Sequence, residues 1–310
     1  MISIIIPVYK NNQMFLKNLQ INKKYFFGCE VIVMNDYTQE KITKRVKEIF
    51  PEAITVDNKE NLGFGSNVNT GVKKSSGDFV LLLNSDVILN DDSFKKSVEV
   101  FKKNENIFAL SFAQYESDGK LIGANRGFFK DGLINHDRQL ITDNRRLTTN
   151  FWAEGGSSIF RRNLFIELGS FDQLYNPFYW EDIDLSYRAW KSGYKIYYYP
   201  VVKVQHHHES TIGKFFQKSS ILKTAYRNQF IFNWKNITDT DLLAKHLFTL
   251  PIILLKSLIN GNWLLLKGFF LALIRLPKIF ESRQKTIKLF KKTDREILDL
   301  FELHRHSGEE

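Results

Sequence analysis

A carboxylate at the end of an apolar run is the first feature that could do chemistry. Residues 78–89 read DFVLLLNSDVIL, so the apolar stretch ends abruptly at Asn84, Ser85 and Asp86. A carboxylate at the exit of a strand suits a hard divalent cation, because Mg²⁺ is usually held by one or two carboxylates together with phosphate oxygens. The competing interpretation is that Asp86 only caps a turn.

A second acidic group follows an aromatic cluster. Glu181, Asp182 and Asp184 come after three aromatic residues at 178–180, at the start of an amphipathic stretch. A carboxylate beside rings that stack on sugars could act as a general base and remove the proton of an attacking hydroxyl group. Acidic residues also stabilise the first turn of a helix through its dipole, so plain helix capping is the alternative.

Glycines and histidines supply two further candidates. Residues 58–70 read NKENLGFGSNVNT, in which Gly63 and Gly65 precede a helical stretch whose free N–H groups could bind a phosphate. An ordinary glycine turn explains the same letters, because the stretch matches neither G-x-G-x-x-G nor a Walker loop. The histidines at 206–208 follow a strand-like run. Neighbouring side chains in an extended segment point to opposite faces, so at most two of them could share a metal.

The order of apolar and polar stretches predicts the fold that positions these groups. From residue 2 to about residue 115, β-branched runs alternate with polar, helix-compatible stretches, which indicates an α/β fold with a mainly parallel central sheet. Ligands of such sheets bind beyond the carboxyl ends of the strands, where the candidate segments lie. Strands are expected at residues 2–7, 30–34, 53–56, 78–83 and 107–112, and helices at 11–27, 39–50, 67–75 and 92–104.

After residue 115 the pattern changes. Residues 116–150 are polar and rich in glycine, which is typical of an inserted hairpin or loop that covers a site. A helix is expected at about residues 182–192 and a strand at 195–204. Beyond residue 210 the chain is expected to be helical, without further βα alternation.

The helical region is both apolar and basic. Lysines recur there at intervals of 11 residues, at Lys245, Lys256, Lys267 and Lys278. One continuous helix would carry them in a single stripe, but Pro251, Gly261 and Pro277 are expected to divide it. No uncharged apolar run reaches about 18 residues, so a membrane-spanning helix is not expected. An apolar band beside cations indicates helices that lie on an anionic leaflet; a bundle packed on the α/β unit and an oligomer interface are the alternatives.

Composition excludes several classes of protein. The chain has 310 residues, of which 43% are hydrophobic and 25% charged, so collagen-like and wholly disordered chains are excluded. The single cysteine, Cys29, excludes a disulfide scaffold and a zinc ribbon and favours a reducing compartment. No signal peptide is expected. The net charge of +10 indicates an anionic partner, but not nucleic acid, because the cations cluster beside an apolar band rather than among exposed aromatic rings.

Together, the motifs resemble a family 2 inverting glycosyltransferase of the GT-A fold, in its rhamnosyltransferase-like branch. The matching stretches occur in family order over about residues 1–215: IIIPVYKN, VIVMND, ENLGFGSNVNTGV, LLLNSD, EGGSSIFRR, GSFDQLYNPFYWEDIDLSYRAWKSGYKIYYYP and VQHHHEST. The resemblance implies a catalytic domain at residues 1–215, with a nucleotide-binding half to about 115 and an acceptor-binding half from about 116. Residues 216–310 would form a separate helical, amphipathic and basic region.

The resemblance also implies a role for each matched residue. Nucleotide and donor binding is implied for Pro7, Tyr9, Asp36, Asn61, Gly63, Asn67, Asn84 and Ser85. Acceptor binding is implied for Gly155, Gly156 and Trp180, and metal binding for Asp86 and His206. Asp182 is the expected base, and Glu181 is expected to orient it. The chain departs from the family pattern at Asn84, where many relatives carry aspartate, so one carboxylate stands where two are usual.

The expected reaction follows from these roles. A sugar would move from a dTDP- or UDP-linked donor to a lipid-linked or cell-surface polysaccharide acceptor, in one displacement assisted by Mg²⁺ or Mn²⁺. The enzyme is expected to be cytoplasmic and peripheral on the inner face of the cell membrane, with an anionic membrane surface as a partner. A non-catalytic nucleotide-sugar or glycan-binding module of the same fold is the alternative, which the intact pair Glu181 and Asp182 disfavours.

Overall fold

The computed structural model describes residues 1–116, 119–139, 147–206 and 211–302. The strands are β1 (Ile2–Val8), β2 (Glu30–Asn35), β3 (Ile54–Asp57), β4 (Phe79–Leu83), β5 (Val87–Leu89), β6 (Ile107–Tyr115), β7 (Leu121–Ile122), β8 (Ala124–Lys130), β9 (Leu133–Gln139), β10 (Thr148–Thr149), β11 (Ser157–Arg161) and β12 (Lys195–His206). The α-helices are α1 (Asn12–Asn22), α2 (Thr43–Ile49), α3 (Phe64–Lys74), α4 (Ser97–Lys103), α5 (Arg162–Glu167), α6 (Glu181–Lys191), α7 (Thr211–Phe215), α8 (Lys218–Asn236), α9 (Thr240–Ile259), α10 (Trp263–Leu273), α11 (Leu276–Thr286) and α12 (Asp294–Glu302). Short 3₁₀ turns occur at Lys23–Tyr25, Ser93–Lys96, Gln173–Tyr175 and Ile287–Leu289.

The central sheet is mixed. Its strand order is β10-β12-β6-β11-β4-β1-β2-β3, with β5 paired to β12 and β7 paired to β6. β1 to β4 are mutually parallel and joined through helices, as the alternating pattern predicts, and β12 is parallel to β6. β11 lies antiparallel between β4 and β6. The predicted α/β fold is therefore confirmed, with its parallel character concentrated in the first half of the chain.

The parallel strands are buried on both faces, which explains their uninterrupted apolar letters. Ile4 and Ile6 of β1 face one hydrophobic cluster, which α1 and α2 cover. Ile5 faces the other cluster, which α3 covers. A Cβ atom on Gly71 of α3 would lie 2.7 Å from Ile5 Cγ2, so only glycine allows the helix to pack this closely.

The expected hairpin in the glycine-rich region is confirmed. β8 and β9 pair antiparallel from Ala124 with Gln139 to Lys130 with Leu133. Asp131 and Gly132 form the turn with φ angles of 53° and 76°. Residues 117–118 and 140–146 of this region lie outside the described chain.

The C-terminal helices continue the core of the α/β unit. Phe232 of α8 and Phe301 of α12 belong to the same buried cluster as Phe151 and Tyr187. Polar groups reinforce this contact, since Lys191 Nζ of α6 lies 2.7 Å from Asp294 Oδ1 of α12 and neither side chain is exposed. The inner faces of these helices thus pack on the α/β unit, and the division of the chain at residue 215 stays a prediction.

Helix α10 lies very close to α8. A Cβ atom on Gly268 would lie 2.8 Å from Tyr226 Cβ and 2.9 Å from the backbone nitrogen of Arg227. Real side chains do not approach this closely, so the backbone of α10 rests directly on α8 at this point.

One expectation about the helical region is wrong. Pro251 lies inside α9 and does not end it, whereas Gly261 and Pro277 do stand at helix boundaries. α9 has 20 residues and is long and apolar enough to cross a membrane by length and composition alone, so the expectation that no helix spans a membrane stays a prediction. Lys245 and Lys256 interrupt its apolar residues without ending the helix, so no long uncharged run marks it in the sequence. The recurring lysines consequently lie on three helices rather than in one stripe.

Candidate functional site

A cavity of about 370 Å³ opens beyond the carboxyl ends of β1, β2 and β4. Parallel strands direct their carboxyl ends to one edge of the sheet, which is where ligands of such folds bind. The residues predicted from the sequence that border this cavity are Pro7, Tyr9, Asp36, Asn61, Gly63, Asn67, Asn84, Ser85, Asp86, Gly155, Gly156, Glu181, Asp182 and His206. Segments far apart in the chain thus meet in one place.

Trp180 is the exception among the predicted site residues. Its side chain is 6% exposed and lies in the core, with ring centroids 4.9 Å from His136 and 5.0 Å from Phe232. Phe178 and Tyr179 border the cavity instead. Of the three aromatic residues at 178–180, Phe178 and Tyr179 are therefore the ones that a ligand can reach.

Asp36 organises the loop before α3. Its Oδ1 accepts hydrogen bonds from Leu62 N at 2.8 Å and Asn58 Nδ2 at 2.9 Å, and its Oδ2 accepts one from Gly63 N at 2.9 Å. Burial raises the pKa of Asp36, and these donors oppose the shift. Gly63 has a φ of 79°, and a Cβ there would lie 3.1 Å from Asn176 Cγ, so the loop requires glycine at this position.

Asp86 and His206 face each other at the ends of β4 and β12. Asp86 Oδ1 is buried, lies 3.4 Å from His206 Nε2 and accepts no hydrogen bond from the part of the chain that the structure describes. Burial lowers the pKa of His206, but the interaction with the nearby Asp86 carboxylate outweighs it and raises the pKa above its ordinary value. A buried carboxylate oxygen with open lone pairs beside an imidazole fits a divalent cation.

These two residues would not be a complete set of metal ligands. No group of three or more His, Cys, Asp or Glu side chains in a metal-binding arrangement occurs within residues 1–116, 119–139, 147–206 and 211–302. Further ligands would have to come from a bound molecule or from water. His207 and His208, the other candidates of the histidine run, lie outside the described residues.

Glu181 and Asp182 begin α6 and differ in their surroundings. Asp182 Oδ2 accepts a hydrogen bond from Gly155 N at 3.1 Å, and Oδ1 accepts one from Ile183 N at 2.8 Å. Glu181 is 6% exposed, and its Oε2 has no hydrogen-bond partner among the residues described. Burial raises the pKa of Asp182 to about 6. Burial and the charge of Asp182 raise the pKa of Glu181 well above its ordinary value.

Asp182 and Glu181 therefore differ in which protonation state the structure favours. Backbone N–H groups stabilise the ionised form of Asp182, whereas nothing comparable reaches Glu181 Oε2. We expect Asp182 to be the carboxylate at neutral pH and Glu181 to retain its proton. Asp182 is then the group that can accept a proton from a ligand in the cavity.

Asp184, the third acid of the motif, has a structural role. It is fully buried, and its Oδ2 accepts hydrogen bonds from Arg188 Nε at 2.8 Å and Lys235 Nζ at 2.9 Å. Tyr175 and Asn236 donate to its Oδ1. Although burial alone would raise the pKa of Asp184, the charges of Arg188 and Lys235 lower it below its ordinary value. Asp184 is thus a fixed anion inside the fold.

Sequence reasoning missed several residues that border the cavity. Glu154 is 7% exposed, and its Oε1 lies 3.2 Å from Arg138 Nε of the hairpin. Phe216 closes another wall, with ring centroids 6.0 Å from Tyr9 and 4.9 Å from Phe178. Glu154 stands in the stretch EGGSSIFRR and could have been found there. Arg138 and Phe216 belong to no motif, and only the fold brings them to the site.

The backbone beside the acidic pair is unusual. Tyr179 and Trp180 have φ angles of 72° and 75°, in the left-handed region. For residues other than glycine this conformation costs about 1–3 kcal/mol each and persists only where the surroundings impose it. The segment that ends at Asp182 is therefore held in place by its neighbours.

Comparison with known proteins decides the family. The family model described as "Glycosyl transferase family 2" matches residues 3–169, more than half of the chain. The chain belongs to glycosyl transferase family 2. The family expected from the motifs is thus confirmed.

Curated relatives match part of the chain. An uncharacterized glycosyltransferase of Rickettsia bellii is 30% identical over 137 residues, which are 43% of this chain and 20% of that protein. A poly-beta-1,6-N-acetyl-D-glucosamine synthase of Staphylococcus aureus is 25% identical over 175 residues, which are 56% of this chain and 41% of that protein. This family 2 chain therefore spans less than half the length of these relatives.

Solved structures share the fold. GalNAc-T7 with UDP, GalNAc and Mn²⁺ has a TM-score of 0.59 and 17% identity, covering 76% of this chain and 48% of that one. The Pyrobaculum calidifontis mannosyltransferase PcManGT with GDP-Man and Mn²⁺ has a TM-score of 0.52 and 13% identity, covering 100% and 88%. Residues 1–349 of S. aureus TarS have a TM-score of 0.51 and 15% identity, covering 99% of this chain and 91% of that one. At these identities the likeness shows the fold alone, and it confirms the expected GT-A architecture.

Proposed function

We propose that this family 2 protein transfers a sugar from a nucleoside-diphosphate donor to a hydroxyl group of a carbohydrate acceptor, by a single displacement that inverts the anomeric carbon. The observation that supports the proposal is one cavity bordered both by Asp182, whose pKa is raised to about 6, and by the facing pair Asp86 and His206. One wall suits a base, and the other suits the charge of a diphosphate. Such a displacement needs a base that removes the proton of the acceptor hydroxyl and a group that stabilises the charge of the departing diphosphate.

In the proposed step one bond forms and one breaks at the anomeric carbon, and Asp182 takes one proton. The acceptor oxygen forms a bond to the anomeric carbon while Asp182 takes the hydroxyl proton. The bond from that carbon to the donor phosphate oxygen breaks, and its electron pair leaves with the nucleoside diphosphate. Gly155 N–H orients the Asp182 carboxylate, and protonated Glu181 avoids a second negative charge beside it.

The donor and the acceptor are proposed by class. We assign Pro7, Tyr9, Asn61, Asn67 and the loop at Gly63 to a dTDP- or UDP-linked sugar, together with Asn84 and Ser85, because all of them border the cavity. A lipid-linked or cell-surface polysaccharide is the proposed acceptor, supported by similarity to a protein named for poly-beta-1,6-N-acetyl-D-glucosamine synthesis. We assign Gly155, Gly156, Phe178 and Tyr179, which also border the cavity, to the acceptor.

Asp86 and His206 are the proposed ligands of Mg²⁺ or Mn²⁺. The open lone pairs of Asp86 Oδ1 support this assignment, and two structures of the same fold contain Mn²⁺. When bound, the ion would neutralise charge on the departing diphosphate. Phosphate oxygens would complete its coordination, as is usual for Mg²⁺ sites with few carboxylates.

Thermal stabilisation by nucleotides tests the proposed donor site. UDP or dTDP with Mn²⁺ should raise the melting temperature of the wild type, because a ligand that binds only the folded state stabilises it. Asp86→Ala should lose the metal-dependent part of this shift, so that both proteins respond equally in EDTA. Asp92→Ala, at an exposed acid of the following turn, is the matched control and should behave as the wild type. Equal donor affinity of wild type and Asp86→Ala in saturating Mn²⁺ would contradict the assignment.

We further propose that the helical region holds the enzyme on an anionic membrane surface, cytoplasmic and peripheral on the inner face. Helices α9 and α10, and the residue after α10, turn large apolar side chains outward: Leu247, Phe248, Ile252, Leu255, Leu258, Ile259, Trp263, Phe270, Leu271, Leu273 and Ile274. Phe248 is 78% exposed and Ile274 is 77% exposed. Exposed apolar surfaces of this kind mark a contact with a membrane or a protein. Exposed lysines at 256, 267 and 278 favour an anionic leaflet over a neutral partner.

Co-sedimentation with liposomes tests the membrane proposal. Because the helices share the core of the α/β unit, substitution is a better test than deletion. The wild type should pellet with vesicles that contain phosphatidylglycerol, more weakly at high salt, and a variant with Phe248, Ile259 and Ile274 changed to serine should not. Phe27→Ser is the control, since Phe27 is 89% exposed but lies far from these helices in the chain.

Other outcomes would identify the alternatives. If the wild type stays in the supernatant with every lipid but forms a dimer that the triple variant cannot form, the surface is an oligomer interface. Resistance of the bound wild type to high salt and alkaline extraction would indicate that α9 spans the bilayer. Either result would overturn the peripheral assignment.

A further inference from the structure

The segment that leads to the acidic pair is held by a helix outside the cavity. Tyr179 and Trp180 have left-handed backbone conformations, and Asp184 N donates to Trp180 O at 2.8 Å in the first turn of α6. The peptide planes at Tyr179 and Trp180 therefore set where α6 begins. Asp182 lies in this first turn, so the same planes set the position of its carboxylate.

Asn228 of α8 makes the contacts that fix these planes. Its side chain is fully buried, and the two Nδ2 hydrogens are shared among the carbonyl oxygens of Tyr175 at 2.9 Å, Phe178 at 2.9 Å and Tyr179 at 2.7 Å. The Phe178 and Tyr179 carbonyls belong to the two peptide units that flank Tyr179. One amide group thus restrains the backbone on both sides of a left-handed residue.

Arg227 orients that amide. Its Nε donates to Asn228 Oδ1 at 2.8 Å, and its Nη2 donates to Asn176 O at 2.7 Å. A guanidinium can only donate, so it defines which end of the Asn228 amide is the oxygen and which is the nitrogen. Its second contact reaches the same segment, so Arg227 and Asn228 together hold residues 175–179.

We propose that Asn228 is a positioning residue for the transfer reaction: it holds the 175–180 backbone so that Asp182 meets the acceptor hydroxyl. The proposal rests on the proposed function, because Asp182 is the group that Asn228 positions. No residue of α8 borders the cavity in the described structure. Helix α8 would thus contribute to catalysis without touching substrate.

The experiment compares kcat and KM in purified variants of the full chain. Asn228→Ala and Asn228→Asp should lower kcat by about 10- to 100-fold, since a displacement of about 1 Å in a catalytic group costs this much. The donor KM is expected to change less than kcat, because Asn228 bonds to the carbonyls of Tyr175, Phe178 and Tyr179, whereas the donor loop contacts this segment at Asn176 and Pro177. Asn228→Asp keeps the acceptor for Arg227 but turns a carboxylate oxygen toward the carbonyls.

Asn233→Ala is the matched control. Asn233 lies on the same helix and is 1% exposed, and its Oδ1 accepts from Ile134 N of the hairpin at 2.7 Å. It has no contact with residues 175–180 in the hydrogen bonds of the described chain. We expect its loss to lower stability with little change in kcat. A kcat loss in Asn228→Ala no larger than in Asn233→Ala would overturn the proposal.

A double-mutant cycle separates positioning from general damage to the fold. Once Asp182 is replaced by asparagine, Asn228→Ala should cause little further loss of rate, because its effect acts through Asp182. Fully additive losses would overturn the proposal while leaving the proposed function intact. Near-normal rates in Asp182→Asn alone would instead refute the base and the proposal that depends on it. If Asn228→Ala does not fold, Arg227→Lys withdraws the Nε donor and should give a smaller loss of kcat.

Discussion

Asp182→Asn is expected to lower the rate of sugar transfer by about 10²- to 10⁴-fold, which is the usual contribution of a positioned general base. The amide retains the shape of the side chain, so the protein should fold normally and bind donor as the wild type does. Initial rates at saturating donor and acceptor, together with nucleotide binding by thermal shift, check both parts. Turnover close to the wild-type value would refute the assignment of Asp182.

Glu181→Gln is the matched control, one residue away. Because we expect Glu181 to be protonated at neutral pH, the neutral amide should leave most of the activity in place. The wild-type rate should fall as the pH falls through about 6, where Asp182 becomes protonated. A larger loss of rate in Glu181→Gln than in Asp182→Asn would show that Glu181, and not Asp182, is the base.

Asp294→Ala is expected to destabilise the fold by about 3–5 kcal/mol, the cost of leaving one partner of a buried ion pair uncompensated. Lys191 Nζ lies 2.7 Å from Asp294 Oδ1, both side chains are fully buried, and Tyr187 donates to the same oxygen at 2.6 Å. Thr238 Oγ1 would be left as a hydrogen-bond partner for the buried ammonium group. Urea denaturation measures the loss, and Asp299→Ala, at an exposed acid of α12, should change little.

The pH dependence of this loss has a defined sign. Burial alone would raise the pKa of Asp294, but Lys191 and the surrounding donors lower it below its ordinary value. A group whose pKa is lowered on folding stabilises the protein above its unfolded-state pKa, and this stabilisation is lost as the pH falls through the lowered value. The difference between wild type and Asp294→Ala should therefore shrink in acid. A difference that grows in acid would contradict the ion-pair explanation.

Local patterns predicted much of the fold and of the site. β1 to β4 were predictable because strands buried on both faces consist of continuous apolar, largely β-branched residues. Asp86 was predictable as a site residue because it follows the end of such a strand. β11 was not predictable, since it enters the sheet antiparallel between β4 and β6 after a long excursion of the chain. α3 begins at Phe64, earlier than expected, because Gly63 has a positive φ of 79° just before it, which ends the preceding loop.

The three acids of the motif illustrate where sequence reasoning ends. Glu181, Asp182 and Asp184 have similar side chains within four positions, and nothing local separates them. Lys235, 51 residues after Asp184, makes Asp184 a buried structural anion. Gly155, 27 residues before Asp182, stabilises that carboxylate at the cavity wall. Their roles thus depend on partners that only the tertiary fold supplies.

The direct contact of α10 with α8 at Gly268 fixes the apolar surface of α10 relative to the cavity. A side chain larger than hydrogen would force the two backbones apart, since a Cβ would lie 2.9 Å from Arg227 N. α10 carries part of the exposed apolar surface and packs directly on α8, which carries Asn228. If that surface rests on a bilayer as we propose, the cavity stands at a fixed height and angle above the lipid headgroups. The distance between the membrane surface and the cavity would then determine which hydroxyl of a lipid-anchored acceptor reaches Asp182.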